Sequence, residues 1–485
     1  MHLTVAQRIV GLLAMVFSLA MLPPLAVSLI YADGEHINFS ISFVAVLVTG
    51  LLLWLPVSRD RREMRLRDGF VVVASFWTVL GLLGALPLYL STQTPVGFTD
   101  AVFESVSGLT TTGSTILTEL ETLPHSILFY RQQLQWMGGM GIIVLAVAVL
   151  PMLGVGGMQL YRAEMPGPLK DTKLTPRIAE TAKGLWYIYL GLTVACGAAY
   201  WAAGMQVFDA IGHAFSTVAI GGFSHYDASF AHFDSAVIEL IAVFFMLVAG
   251  INFAIHFVAF RPGNLSPLAY FRDPESRTYV MWLLALSFVV CAWLLITGVY
   301  DATGEGIVKG LFQTVSIATT TGFASAEFSA WPGFVPVLLI FASFVGACGG
   351  STGGGIKVMR VMLLIRQGQR EILRLVHPHA QLPVKLGNRV ISPRVVEAVW
   401  GFFAAYIAVF GIIMLFLMAT GLDQVTAFSA VAATLNNLGP GLGEVAENFG
   451  NINDPAKWAL VVAMIMGRLE IFTALVLIMP AFWRR

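Results

Sequence analysis

The apolar positions of this chain fall into long unbroken runs, neither alternating as in a half-buried strand nor striped as in a surface helix. Ten stand out, at 9–31, 40–57, 69–90, 132–153, 185–204, 236–260, 279–299, 334–347, 396–420 and 456–482. Most reach the roughly 18 to 25 apolar residues that a helix needs to cross a bilayer. The run 334–347 is short because glycines interrupt it. Backbone at membrane depth must satisfy its own polar groups, so the pattern predicts helices with local breaks only where protein or water lies alongside.

Composition and charge orient that picture. At 57% hydrophobic and 12% charged over 485 residues, the chain departs from the about 25% charged residues of soluble domains. The formal net charge is zero, but 24 of the 28 Lys and Arg lie on one side of the threading. These are Arg8, the group Arg59, Arg61, Arg62, Arg65 and Arg67, the loop 162–183, Arg261, Arg272 and Arg277, the stretch Lys357–Arg394, and Arg484 with Arg485. The opposite loops carry acids, among them Asp33, Glu119, Glu121, Asp227, Glu327 and Glu444. The positive-inside rule makes the basic side cytoplasmic and places both termini there. The segment 9–31 reads as a retained helix, because Pro23-Pro24 interrupts it and no small-residue cleavage site follows. Cys196, Cys291 and Cys348 lie in apolar runs without metal-ligand spacing and read as free buried thiols.

A repeat emerges when the loops are aligned on single glycines. SGLTTTG ends at Gly113, STVAIGG at Gly222, SIATTTG at Gly322 and ATLNNLG at Gly439, with separations of 109, 100 and 117 residues. Six positions before the glycine stand Ser107, Ser216, Ser316 and Ala433; twelve before it stand Ala101, Ala210, Gly310 and Ala427. Each glycine lies between two apolar spans and follows a ten-residue run, at 100–109, 209–218, 309–318 and 426–435. Those runs are too short to span. A span, a half-length helix, an extended Gly/Thr strand and a second span describe a re-entrant pore loop. The predicted fold is an all-α polytopic membrane protein: four linked helix–pore loop–helix repeats around one pore, preceded by two extra N-terminal membrane helices. The boundaries are 1–68 for the N-terminal helices and basic loop, then 69–183, 184–277, 278–394 and 395–485 for the repeats.

Such loops suit a dehydrated cation. A potassium filter replaces the hydration shell with backbone carbonyls, and glycine supplies the backbone angles this needs. Thr110-Thr111-Thr112-Gly113 and Thr319-Thr320-Thr321-Gly322 look like the Thr-Val-Gly core of potassium channel filters. Ala219-Ile220-Gly221-Gly222 and Asn436-Asn437-Leu438-Gly439 depart from it, so only approximate four-fold symmetry is expected. Through these loops the whole chain resembles the Trk, Ktr and HKT superfamily of potassium transporters. The two extra N-terminal helices bring it nearest the bacterial TrkH/TrkG type of subunit. In plant members serine at the first filter glycine accompanies sodium transport; Gly113 here favours potassium. Potassium is then the transported substrate, and no cofactor is expected in this chain.

The run Gly346-Ala347-Cys348-Gly349-Gly350-Ser351-Thr352-Gly353-Gly354-Gly355 is a gate candidate. Each glycine weakens a helix by about 1 kcal/mol relative to alanine, so the third repeat's second helix must break there. The resemblance implies an intramembrane loop that plugs the pathway below the filter; small-residue helix packing is the alternative. Arg468 lies within an apolar run with Glu470 two residues on, and a charge there marks a pathway or a pair. The resemblance implies an arginine facing the pore beside the loop; an Arg468–Glu470 or Arg468–backbone contact is the structural reading. Glu104, Asp100 and Asp209 are candidates for concentrating cations at the outer mouth, with helix capping an equal account of the two aspartates. Asn252 and His256 either line a pathway or bond between helices. The remaining histidines lack metal-ligand spacing, and His377-Pro-His379 reads as a loop.

The Gly-rich run lacks the Gly-Lys-Ser/Thr ending of a nucleotide loop, so no nucleotide site is expected in the chain. The resemblance implies a homodimer and a cytosolic ring of nucleotide-binding subunits of the TrkA type, with Lys357–Arg394 and the 162–183 loop as contact surfaces. Topology control and anionic lipid explain those basic stretches equally. No nucleic-acid partner is expected. An alternating-access cation symporter with a midplane site is the competing class, usually built from two halves. No nucleophile–base pair or metal cluster suggests an enzyme.

Overall fold

The computed structural model describes residues 3–59, 66–144, 178–260, 266–387 and 389–484. Arg61, Arg62, Arg65 and most of the basic 162–183 loop lie outside the described residues. Among the described residues the architecture is helical, apart from a hairpin of two-residue strands pairing Lys385–Leu386 with Arg389–Val390 that the sequence did not suggest. Six described helices are long and apolar enough to be single spans, and two further helix pairs pass the same test together but are bent at a short break.

The chain opens with Leu3–Ser18 and Leu22–Tyr31, with Pro23-Pro24 in the first turn of the second piece, where proline's missing N–H leaves nothing unpaired. His36–Trp54 returns antiparallel. A Cβ on Gly11 would lie 2.9 Å from the Gly50 carbonyl, so paired glycines let the two backbones touch. In the loop between them Asp33 accepts the Ser126 N–H at 2.9 Å, tying this hairpin to the first repeat. Burial pushes the Asp33 pKa up, but hydrogen bonds from Ser28 and Ser126 outweigh it and hold the carboxyl below its ordinary value of 3.8. That contribution is present above the ordinary value and is lost as pH falls through the lowered one. Asp33→Asn removes the negative charge at the N-terminus of the first inner helix and is expected to lower stability by about 0.3–1 kcal/mol at neutral pH, with the wild-type advantage disappearing in acid, as read by thermal unfolding.

Four units follow, each an outer helix, a re-entrant helix and an inner helix. The outer helices are Leu66–Gly84 (continued by Leu86–Leu90), Ile178–Ala202, Pro274–Thr297 and Pro393–Ala419. The re-entrant helices are Phe98–Leu109, Val207–Val218, Thr303–Ala318 and Gln424–Leu435. At 12 residues, three of them rise only about 18 Å, and their later turns are buried nearly all round, as helices at a molecular centre must be.

Among the described residues, the inner helices of the second, third and fourth repeats are broken. In the third repeat Val335–Val345 and Val358–Val376 flank the Gly-rich run, as expected. The second bends by 94° between Ala236–Ala249 and Phe253–Ala259, and the fourth by 115° between Asp454–Arg468 and Phe472–Ile478. Both bends fall inside single apolar runs of the sequence, 236–260 and 456–482. At the first break Asn252 caps the new helix, its side chain accepting Ala254 N–H at 2.9 Å. At the second, Glu470 and Ile471 hold φ of 56° and 47° without glycine or proline. A β-branched residue with positive φ is strained, and only surrounding structure maintains it.

Apolar side chains divide between inside and lipid. Phe17, Trp77, Val106, Leu134, Leu435 and Met464 share one core that joins the N-terminal helices to the first and fourth repeats. On the outer helix of the third repeat, Met281, Leu284 and Phe288 are 63%, 62% and 75% exposed at helical spacing. A stripe of that kind marks a face meant for hydrocarbon.

Candidate functional site: four loops and the segment beneath them

Each re-entrant helix ends four residues before its glycine, and the four exits repeat one hydrogen-bond pattern. The N–H groups of Thr112, Gly221, Thr321 and Leu438 donate to the carbonyls of Ser107, Ser216, Ser316 and Ala433 at 2.8, 2.8, 2.8 and 2.7 Å. Those acceptors are the residues six before each glycine. Thr110, Ala219, Thr319 and Asn436 keep φ between −75° and −84°. Thr111, Ile220, Thr320 and Asn437 then adopt φ of 53°, 53°, 67° and 53°, and Gly113, Gly222, Gly322 and Gly439 take 83°, 82°, 86° and 108°. Alternating the sign of φ turns successive peptide planes so that neighbouring carbonyls share a side. For Ile220 and the two threonines this backbone is strained, a common mark of functional loops.

The loops meet edge to edge. A Cβ on Gly113 would stand 2.1 Å from the carbonyl oxygen of Gly221; on Gly222, 2.1 Å from that of Thr321; on Gly322, 2.1 Å from that of Leu438; on Gly439, 2.9 Å from that of Thr112. Each glycine thus abuts the carbonyl of the residue preceding the next glycine, and the sequence of contacts closes on itself. The Ser114 hydroxyl seals the last junction by donating to the Gly439 carbonyl at 2.8 Å. The result is one ring in chain order, with carbonyls of Thr112, Gly221, Thr321 and Leu438 at one level.

Side chains face away from the ring and brace it. Thr110 and Thr112 hydroxyls pair at 2.7 Å, and Thr319 and Thr321 at 2.8 Å. The two degenerate loops have other supports. Gly221 leaves a space that Gln135 from the first inner helix fills, its Nε2 donating to the Gly221 carbonyl at 2.6 Å and its Oε1 accepting Phe223 N–H at 3.1 Å. The carbonyl keeps a second lone pair. Asn437 donates to Thr112 Oγ1 at 2.9 Å and to the Met464 carbonyl at 3.0 Å; Asn436 accepts from the Tyr406 hydroxyl at 2.5 Å and donates to Ser343. Gln135→Ala empties the space and orphans a buried N–H, so it is expected to cost about 1–3 kcal/mol and to loosen the second loop, read as a lower thermal midpoint and a lower potassium-to-sodium flux ratio.

The Gly-rich segment lies directly under this ring and is buried along most of its length. Thr352 Oγ1 donates to the Val218 carbonyl at 3.0 Å, Gly354 N–H to Thr320 Oγ1 at 2.6 Å and Gly355 N–H to the Asn436 carbonyl at 3.0 Å, so it touches three of the four loop exits. A Cβ on Gly354 would lie 1.9 Å from that Asn436 carbonyl; close approach, beyond helix breaking, requires glycine. Cys348 N–H donates to the Gly250 carbonyl, and Phe253 N–H to the Gly350 carbonyl, at 3.0 and 3.1 Å, seating the segment in the break of the second inner helix. Gly346 turns the chain with φ of 66°, while Ser351 bonds internally to the Cys348 carbonyl and Gly353 takes the Lys357 ammonium on its carbonyl. Glu275 Oε1 accepts the N–H groups of Gly349 and Met359 at 2.7 and 3.2 Å.

Arg468 is the fourth side of this arrangement. It is 6% exposed and donates to the Thr352 carbonyl at 3.1 Å and to the Gly138 carbonyl of the first inner helix at 3.3 Å. Its hydrogen bonds are with backbone, and its guanidinium also lies 5.6 Å from the Trp77 ring centroid. Glu470 pairs instead with Arg360 at 2.6 Å, so the Arg468–Glu470 pair is not formed.

The acids proposed for the outer mouth are engaged. Glu104 is buried against Arg131 at 2.7 Å and also accepts Ile116 N–H; it braces the chain after the first glycine and is no free charge. Asp100 pairs with Lys457 at 2.6 Å. Asp209 binds His225 Nδ1 at 2.8 Å and the Tyr226 hydroxyl at 2.9 Å. Neither aspartate caps its helix through a side-chain bond. With His213, Asp209 and His225 place ligand-type atoms within 4.8 Å of one another, a proximity that sequence spacing concealed because His225 lies beyond the glycine. His256 bonds the Tyr270 hydroxyl at 2.8 Å and the Val248 carbonyl at 3.0 Å, which makes it a brace for the bend. Sequence reasoning missed Gln135, Arg131, Glu275, Lys357 and Arg360; a polar residue inside an apolar run was the available signal for Gln135, whereas the other four lie outside such runs.

Comparison with known proteins agrees with this architecture. The profile of the TrkH family, described as a cation transport protein, matches residues 35–485. The Trk system potassium uptake protein TrkH of Vibrio parahaemolyticus is 58% identical over 482 residues, covering 98% of each chain. TrkH of Escherichia coli K12 is 54% identical over all of both chains, and TrkG of the same strain 41% identical over 100% of this chain and 99% of its own. The crystal structure of the potassium transporter TrkH from Vibrio parahaemolyticus superposes with a TM-score of 0.93 at 54% identity, covering 100% of both chains. With its full length matched in sequence and fold, the chain belongs to the TrkH family of cation transport proteins.

Proposed function

We propose that this protein mediates potassium uptake across the inner membrane through a channel-like pore whose selectivity lies in backbone carbonyls. The observation that carries this reading is the closed contact between successive loops, with glycine α-carbons packed on the carbonyls of Thr112, Gly221, Thr321 and Leu438. A ring of four oxygens with braced, strained backbone substitutes for water around a dehydrated potassium ion. The side chains of Thr110, Thr112, Thr319, Thr321, Asn436 and Asn437 brace the loops, so the coordinating role falls to backbone and side chains are free to vary among the repeats.

Below the ring, residues Gly346–Gly355 obstruct the axis and Arg468 holds them there, adding a fixed positive charge that opposes cation entry. The basic side is cytoplasmic and carries both termini. With no nucleotide-type loop in the chain, opening is commanded from outside, by a cytosolic nucleotide-binding subunit of the TrkA type acting on a homodimer. Planar bilayer recording of purified protein separates this from the symporter alternative. Unitary potassium currents at ion-channel rates are expected; uptake only at slow carrier rates, tied to a second ion, sinks the pore.

A further inference from the structure

On the basic side a cleft of about 410 Å³ opens between the third repeat's outer helix Pro274–Thr297, the helix Val358–Val376 and the hairpin. Arg277, Arg366, Arg370 and Lys385 line it, and among the described residues its lining holds no acid. Arg277 and Lys385 have no side-chain partner among the described residues, Arg366 reaches only Gln369 at 3.4 Å, and Arg370 meets Glu371, which stands outside the lining. Four cations in one concavity repel one another unless an anion joins them. We propose that this cleft binds the phosphoryl headgroup of an anionic phospholipid, and that its occupation steadies the gating segment in its obstructing position.

A lipid is favoured over a soluble anion by what adjoins the cleft. Arg277 stands at the foot of the exposed stripe Met281, Leu284 and Phe288, one helical face of the same outer helix. Acyl chains laid along that stripe bring their phosphate to Arg277 at the membrane surface, where basic side chains draw anionic headgroups. Pro274, Met362 and Leu373 supply apolar lining for the glycerol portion.

The same walls hold the segment beneath the ring. Glu275, in the first turn of the outer helix, accepts the N–H groups of Gly349 and Met359. The facing wall is the helix that issues from the segment, and its Arg360 grips Glu470 at the fourth-repeat break. A phosphate shared by Arg277 and Arg366 or Arg370 resists separation of these walls. The obstructed arrangement is thereby favoured. This coupling rests on the gate and topology proposed above, whereas headgroup binding does not.

The test is native mass spectrometry of the full-length protein with phosphatidylglycerol or phosphatidylcholine, beside the triple variant Arg277→Gln, Arg366→Gln, Arg370→Gln and the milder Lys385→Gln. At about fivefold per cation, the triple variant should bind phosphatidylglycerol roughly a hundredfold more weakly and Lys385→Gln about fivefold, with phosphatidylcholine unchanged. Equal phosphatidylglycerol binding by folded wild type and triple variant overturns the site, as does its displacement by glycerol phosphate at matched phosphate concentration. In liposomes, phosphatidylglycerol should lower rubidium flux through the wild type and leave the triple variant unaffected. If binding is lost in the variant but wild-type flux ignores phosphatidylglycerol, the coupling is overturned. An Arg468→Ala variant run in parallel shows whether the gate reading failed instead.

Discussion

Gly222→Ala should lose most of the protein's preference for potassium over sodium while remaining folded. The new Cβ falls 2.1 Å from the Thr321 carbonyl oxygen, below the 3.0 Å that real Cβ contacts keep. Backbone cannot swing aside as a flexible side chain does, so the third loop must retreat by about 1 Å. Gly222 also holds φ of 82°, where an L-residue is disfavoured by roughly 1–2 kcal/mol. Both effects act on the carbonyl positions that set the field felt by a bare ion. A fall in potassium-to-sodium selectivity of about tenfold or more corresponds to only about 1.4 kcal/mol, well within what this displacement supplies. Gly411→Ala is the control, because a Cβ there meets nothing within 4 Å. Unaltered selectivity in a folded Gly222→Ala protein would mean that the ring does not discriminate between ions.

Arg468→Ala should raise flux in the absence of any regulatory subunit. Its two hydrogen bonds tie the Thr352 carbonyl to the Gly138 carbonyl across the axis. Bonds involving a charged group contribute about 1.5–3 kcal/mol each, and removing even one moves a two-state equilibrium by about tenfold or more. On the proposed gate, the substitution also withdraws a buried positive charge from the path of a cation. Arg468→Lys keeps the charge but loses the planar fork that spans two carbonyls, so its flux should lie between those of wild type and alanine. Deleting part of Gly349–Gly354 acts in the same direction but strands Glu275, which makes it the less clean experiment. Unchanged rubidium flux through folded Arg468→Ala would count against the obstruction.

Much of this arrangement was legible in the sequence because the four loops solve one local problem. The residue six before each glycine supplies the carbonyl for the turn, and the residue twelve before it is small because the re-entrant helix is buried there. Both constraints recur every hundred residues or so and survive as a register. Gly346–Gly355 was legible for a similar reason, since helix propensity alone forbids continuity. What stayed hidden depends on partners distant in sequence. Gln135 explains the glycine at 221, yet only folding brings the two together. Glu104, Asp100 and Asp209 read in sequence as acids of the outer mouth, or as helix caps for the two aspartates, whereas the fold brings Arg131, Lys457 and His225 beside them. The break at Glu470-Ile471 falls on neither glycine nor proline, and Glu470 meets its partner Arg360 only in the fold. The tendency is general for membrane interiors, where a polar side chain is almost always engaged, but sequence does not say with what.

The central claim is that four unequal loops act as one potassium-selective ring. Its most direct test is competitive ion flux through purified protein in liposomes, with potassium, rubidium, sodium and lithium compared under one driving force. Potassium and rubidium should pass at similar rates, with sodium and lithium well below them. Equal flux of sodium and potassium would contradict the ring of carbonyls as the selective element.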